Sequence, residues 1–303
     1  MKKKFFLLII LIFTIAIPKV QAIDIQSILS NIGFNVFSKK DAKEEITKVL
    51  DLQQNYANKK NYDKLKLLYT STYANIDGID INNYIDSLQK TANIHGKLKY
   101  QTIINSINVN GDYATVDAID ITDGITKESY ENIPEKGILH SEAKAIYYFK
   151  KEDGTWKIDS EIALSEKAYL KYGSAKEIEF KLNAPECIKA NSEYNIKVNV
   201  DLKEARGIIA SITTEKIQFP HKKTEDIFRA IKSDGELERV VTANNEGKNE
   251  LAFASIAIAS PYKNEESKID FKIDGVAFIS SRVNVIPIFV KKESTNEQEK
   301  WIQ

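Results

Sequence analysis

The stretch 98–122, LKYQTIINSINVNGDYATVDAIDIT, decides how this chain is read. Leu98 to Val109 and Tyr113 to Thr122 alternate apolar and polar residues, and Asn110-Gly111 between them is the strongest short hairpin signal a sequence carries. A second pair of runs, Leu139 to Lys151 and Thr155 to Ala163, flanks Asp153-Gly154 in the same way. Successive hairpins predict an antiparallel sheet.

Upstream of Gly96 the period is helical. Ile46, Val49, Leu50, Gln53, Tyr56 and Ala57 fall on one stripe and predict a long amphipathic helix from Asp41. Asn61 caps a second helix with Leu65, Leu68 and Tyr69 inward. Asp80 or Asn82 starts a third, through Tyr84, Ile85, Leu88 and Ala92, and His95-Gly96 ends it. Helices followed by an antiparallel sheet make an α+β unit.

Residues 41–172 resemble the nuclear-transport-factor-like superfamily, which includes ketosteroid isomerase-like members. The resemblance rests on the long helix, the Asn61-Tyr62-Asp63 start of helix two, the third helix and the closing Asp153-Gly154-Thr155-Trp156-Lys157-Ile158 hairpin. It implies a cone, with three helices on a curved antiparallel sheet, and often a homodimer formed through that sheet. The superfamily holds isomerases, dehydratases, small-molecule binders and docking modules, so the fold transfers no function. The isomerase pattern sets Asp77 at the position of the catalytic base and Gln53 where those enzymes carry a tyrosine donor. That is half a match, and Asp77-Gly78 is equally what a β-turn requires.

Beyond a connector at 164–176, broken at Gly173-Ser174, short strands alternate with turns: 178–183, 194–202, 208–214, 237–243, 251–260, 267–273 and 276–288. This pattern predicts an all-β antiparallel sandwich over 177–290, immunoglobulin-like in general shape, although no disulfide or buried-Trp signature accompanies it. Thr224 can cap an inserted helix near 225–231. With a linker at 173–176, the pieces 41–172 and 176–292 are expected to fold separately. Residues 291–303 read as a polar tail.

At the other end, Lys2-Lys3-Lys4, an apolar run from Phe5 to Ile17, Pro18 and Val20-Gln21-Ala22 have the order of a signal peptide cut after Ala22. The run is shorter than the roughly 20 residues a membrane anchor needs. The expectation is export to the periplasm or beyond. Residues 23–40 form an amphipathic lead-in through Ile25, Ile28, Leu29, Ile32 and Val36; it is read as docking on its own domain, with membrane-surface or partner contact as the other reading.

Charge excludes one class of partner. The whole chain has 43 basic and 43 acidic residues, and losing Lys2, Lys3, Lys4 and Lys19 leaves a small acidic excess. Nucleic acid binding needs the opposite footprint. Cys187, the one cysteine, makes no intramolecular disulfide and is read as a small buried hydrophobe. His95, His140 and His221 are far apart and give no metal-ligand spacing, and no cofactor motif is present.

Chemistry is therefore sought in the cone mouth. Candidate catalytic residues are Asp77 and Asp120, the latter ending the inward phase Ala114, Val116, Ala118 or lying at a solvated strand end; candidate pocket residues are Gln53, Tyr56, Tyr69 and Tyr147. Both aspartates are read as exposed, so Asp77→Asn and Asp120→Asn are each expected to change stability by less than about 1 kcal/mol. Motif poverty favours an exported, non-catalytic binding or accessory protein of the bacterial envelope, whose partner is an envelope protein or a small molecule. The alternative is a small-molecule isomerase or dehydratase. Buried carboxylates with raised pKa values favour the enzyme, and a cone filled by side chains favours the binder.

Overall fold

A computed structural model describes residues 39–201, 207–218, 226–231, 235–263 and 268–288. The leader 1–22, residues 23–38 of the lead-in and the tail 291–303 lie outside the described residues. Three helices are described: α1 (Lys39–Asn58), α2 (Tyr62–Lys66) and α3 (Ile81–Ile94). The strands are β1 (Tyr69–Asn75), β2 (His95–Asn110), β3 (Tyr113–Tyr130), β4 (Ile133–Glu152), β5 (Thr155–Gly173), β6 (Phe180–Asn183), β7 (Cys187–Lys189), β8 (Glu193–Val200), β9 (Gly207–Lys216), β10 (Arg229–Ala230), β11 (Glu236–Thr242), β12 (Glu250–Lys263) and β13 (Ile269–Ile286).

The apolar stripe of α1 packs Ile46, Val49 and Leu50 against Val116, Ala118, Tyr147, Phe149 and Ile158 of the sheet. Its last turn also pins the edge strand, because Asn58 exchanges two bonds with the Tyr100 backbone and Gln54 accepts from Thr102 N–H. Both expected hairpins form. In the second, Asp153 and Gly154 take φ of 48° and 78°, the mirror-image turn that matches strand twist.

The expected fold class needs correction. The chain is mostly β, and one ten-stranded sheet in the order β10-β9-β12-β13-β5-β4-β3-β2, with β1 and β7 joined at its side, runs through both halves. A cone of three helices followed by a sandwich with sheets of its own is not what forms. The second helix is only five residues long, and Tyr69, expected on it, instead opens β1, where Tyr, Thr and Ser suit a pleated surface better than a helix. Strand β5 does not stop at Ala163 either. One extra residue, Leu164, bulges out opposite the Lys144–Ala145 step, after which β5 continues to Gly173 paired with β4 on one side and β13 on the other.

Residues 173–176 are accordingly not a free linker. A 3-10 turn occupies Ser174–Glu177, and a Cβ at Gly173 would meet the Asp274 carbonyl oxygen at 2.0 Å, so the strand leaves the sheet where only glycine fits. On the far side of this junction the three-stranded sheet β11-β8-β6 covers one face of β9, β12 and β13, with Ile196, Val198, Ile256, Ile258, Ala277 and Ile279 in the core between the layers. A seven-strand immunoglobulin-like sandwich would need its own edges, whereas here β13 is bonded to β5. A third cluster of Ile133, Leu139, Leu170, Tyr172, Phe253, Val276 and Phe278 draws on both halves.

Two local expectations also change. Asp226–Phe228 is irregular rather than helical, and Arg229–Ala230 adds to the β9 edge, where the Ser211 hydroxyl accepts from Ile227 N–H and the Ile208 carbonyl accepts from Ile231 N–H. Cys187 is exposed on β7, not buried. No described helix is long and apolar enough to cross a membrane.

Cutting between 172 and 176 would expose the bonding edge of β5 and half of the third cluster. Expressed alone, 41–172 is expected to lose the cooperative melt of the longer chain, and scanning calorimetry of the piece beside the intact protein checks this.

Candidate functional site

Between the helical layer and the sheet lies a cavity of about 280 Å³ whose wall is rich in carboxyls and phenols. α1 supplies Gln53, the loop after β1 supplies Asp77, and α3 supplies Tyr84. The sheet contributes Asp120 from β3, Tyr147 from β4, Glu161 and Glu166 from β5, and Arg282 from β13. These sheet residues share a face because their strands pair in register, with Tyr147 opposite Glu161, Ala143 opposite Glu166 and Leu251 opposite Arg282.

One end is closed by an ion pair. Arg282 donates from Nη2 to Asp77 Oδ1 at 2.7 Å and from Nη1 to Oδ2 at 2.9 Å, with side chains only 2% and 5% exposed. Asn249 adds a 2.8 Å bond to Asp77 Oδ1, and Arg282 Nε donates to Asn284 at 2.8 Å. Asp77 is therefore a buried anion with its counter-charge attached. The expectation of an exposed, freely replaceable Asp77 is corrected: the turn at Gly78, with φ of 75°, aims the preceding carboxylate inward.

Asp120 is not a solvated strand end. Thr102 donates to its Oδ1 at 2.7 Å and Tyr147 to its Oδ2 at 2.6 Å. Burial raises the pKa of this carboxyl, while the two donated bonds oppose the rise. Opposite Tyr147 stands Glu161, pushed up to about 8 by burial and then by the negative charge of Asp120; a 3.3 Å bond from Tyr73 and the Arg282 charge pull the other way. Glu166 is raised as well, mainly by burial, with Arg282 opposing and Asp77 adding to the effect. Asp120 and Glu161 interact, so their protons leave as a coupled pair.

Behind this wall, Gln53 donates to the Tyr69 hydroxyl at 2.7 Å, and Tyr69 packs edge-on against Tyr73 with ring centres 4.7 Å apart. Burial holds the phenols of Tyr69, Tyr73, Tyr84 and Tyr147 well above the ordinary tyrosine range, so they are neutral donors at physiological pH.

Of the residues expected from sequence, Asp77, Asp120, Gln53 and Tyr147 meet at the cavity. Tyr69 is buried behind it, and Tyr56 packs at the border of the α1 core away from it. The histidines do not converge: His95 is buried with Nδ1 unbonded, His140 bonds Asp123 at 2.8 Å elsewhere, and His221 lies outside the described residues. Among the described residues no group of three or more His, Cys, Asp or Glu is placed to hold a metal ion.

Glu161, Glu166 and Arg282 escaped the sequence reading. Arg282 did leave a signal, as the lone charge inside the apolar run 276–288. Glu161 left none, since the extra residue Asp159 shifts it out of the alternation set by Trp156 and Ile158; Glu166, back in that phase after the second extra residue Leu164, was legible as an inward carboxyl and was missed.

A scan with protein-family models finds no match, and a search of curated proteins finds none either. Solved structures do resemble part of the chain. A conserved protein from Planctomyces limnophilus DSM 3776 is 10% identical over 41% of this chain and 95% of its own, with a TM-score of 0.36. A nuclear transport factor 2 (NTF2-like) superfamily protein from Salmonella enterica serovar Typhimurium is 13% identical over 42% and 92%, at 0.35. A hexachlorocyclohexane dehydrochlorinase is 12% identical over 41% and 85%, at 0.32. Identities and scores of this size carry no argument about what the cavity does.

Removing one partner of a buried ion pair strands the other charge, so Asp77→Ala is expected to cost about 3 kcal/mol or more in urea unfolding. The joint replacement Asp77→Leu with Arg282→Met should recover most of that loss. A single variant within about 1 kcal/mol of the wild type would contradict the geometry.

A second expectation concerns pH. The folded protein holds the Glu161 proton more tightly than the unfolded chain does, so stability falls as pH rises from about 4.5 towards about 8. Glu161→Gln removes this contribution. Near pH 8 the variant should exceed the wild type by about 1 kcal/mol or more, with no difference near pH 4.5, as read from melts across that range.

Proposed function

We propose that the cavity belongs to a small-molecule enzyme of the isomerase or dehydratase type, in which Asp120 and Glu161 move protons on the substrate. The observation that carries this reading is that Asp120 and Glu161 line one cavity about Tyr147, which bonds the first and stands opposite the second. Two titratable groups whose surroundings differ are how one site holds a base and an acid at the same pH. Asp120 accepts two donated hydrogen bonds, which favour its ionised form and suit it to take a proton. Glu161 has one long bond and the higher barrier to ionisation, which suits it to give one.

In a dehydration, Asp120 takes a C–H proton, the electron pair of that bond forms the new C=C bond, and the adjacent C–O bond breaks. Glu161 supplies the proton with which the hydroxyl leaves as water. In an isomerisation, the same two groups take a proton from one carbon and return one to another. Tyr147 keeps the Asp120 carboxylate in place for either step, and Arg282 with Asp77 closes the cavity end. The cavity size favours a substrate of modest dimensions.

The same observation moves the balance away from a non-catalytic envelope binder, because a surface that only docks a partner has no use for an internal acid–base pair. Export remains part of the reading, with the leader cut after Ala22 placing the activity in the periplasm or outside the cell.

Proton NMR in D₂O, with pooled small hydroxylated and carbonyl compounds, tests the proposal. At least one compound is expected to lose water or exchange a C–H hydrogen, and Asp120→Asn should slow it by about 100-fold or more. Compounds that bind and come through unaltered would return the cavity to the binder reading.

A further inference from the structure

We propose that the cavity takes a small organic cation, an ammonium ion held by Glu161 and Glu166 against the phenol wall. The inference rests on the cavity being a ligand site, as above, and goes further by naming the ligand's charge. The first argument is what the one cation in the wall is already doing. Arg282 gives both ends of its guanidinium fork to Asp77 and its Nε to Asn284. Its charge is cancelled at 2.7 Å, so it does not recruit an anion.

The second argument is what the acids lack. Among the described residues no lysine or arginine forms an ion pair with Asp120, Glu161 or Glu166. Asp120 has both oxygens occupied, by Thr102 and Tyr147, whereas Glu161 receives one 3.3 Å bond and Glu166 one bond from Ser141. A carboxyl facing the cavity with an oxygen to spare is a place for a donor to dock. The donor need not be charged in principle, but only a cation relieves the repulsion between Asp120 and Glu161 when both ionise.

The third argument separates an organic cation from a metal ion. The acids are not placed to enclose a metal. Tyr84 and Tyr147 line the same wall, and phenol rings attract alkylammonium groups. At about 280 Å³ the space suits a molecule larger than a bare ion. Entry of an ammonium ion ionises the carboxyls it meets, so binding releases protons at neutral pH and takes Glu161 out of the acid role, and the two readings are therefore tested apart.

Isothermal titration of the intact protein tests this with butylammonium, piperidinium and 2-phenylethylammonium, each beside a neutral and a carboxylate analogue of the same size. At least one ammonium is expected to bind at least about tenfold more tightly than both of its analogues. Its affinity should rise from pH 6 to pH 8, and its heat should vary with the buffer's ionisation heat in the sense of proton release. Glu161→Gln and Glu166→Gln should each weaken it by about tenfold, while Lys64→Ala on the exposed surface of α2 should not. A neutral or carboxylate analogue binding as tightly, or no ammonium binding below about 10 mM, overturns the inference. The acid–base reading is judged separately: a neutral compound that exchanges hydrogen keeps that reading and removes this one, and an ammonium that binds without exchange does the reverse.

Discussion

Arg282 stands on β13 and its carboxylate partner Asp77 on the loop after β1, 205 positions apart, and the bidentate pair is nearly free of solvent. An ion pair in that position is costly unless every oxygen and most N–H groups are bonded, and Asn249 and Asn284 supply the remaining bonds. Arg282 reaches Asp77 only if β13 lies beside β5, so the pair and the continuous sheet require one another. Asn249 strengthens the link, since its Oδ1 also accepts from the Val285 backbone. The constraint thus ties the helical half to the C-terminal strands and at the same time closes the cavity.

The cavity is acidic because the sheet that forms it is long. Strands β3, β4 and β5 extend well past the part covered by α1, and on their inner face Val116, Ala118, Phe149 and Ile158 give way to Asp120, Tyr147, Glu161 and Glu166. Beyond these the face turns apolar again at Leu139, Leu170 and Phe278. The polar band lies between two apolar clusters, and burial there raises the carboxyl pKa values. Keeping such groups in a fold costs stability, and the natural offset is a ligand or a reaction that uses them.

Much of the local structure was legible in the chain. The α1 stripe, the two hairpin turns and the third helix start at Asp80 follow from periodicity, capping and turn chemistry, all of which act within a few residues. Asp77, Asp120, Gln53 and Tyr147 were named together with Tyr56 and Tyr69, and nothing in the sequence separated the four that line the cavity from the two that do not. Their surroundings were not legible, because whether a carboxylate at a turn or a strand end meets water or protein depends on strands far away in sequence.

Sequence by itself determined α1, α3, the two hairpins and part of the set of residues with the chemistry to act. Tertiary structure alone decided that β5 runs on to meet β13, that Arg282 neutralises Asp77, and that Glu161 joins Asp120. The physical reason lies in the bulges at Asp159 and Leu164. Each inserts one residue into β5: with a side-chain period of two the first brings Glu161 to the inner face and the second restores the original phase from Glu166 onward, a double shift that no alternation count detects.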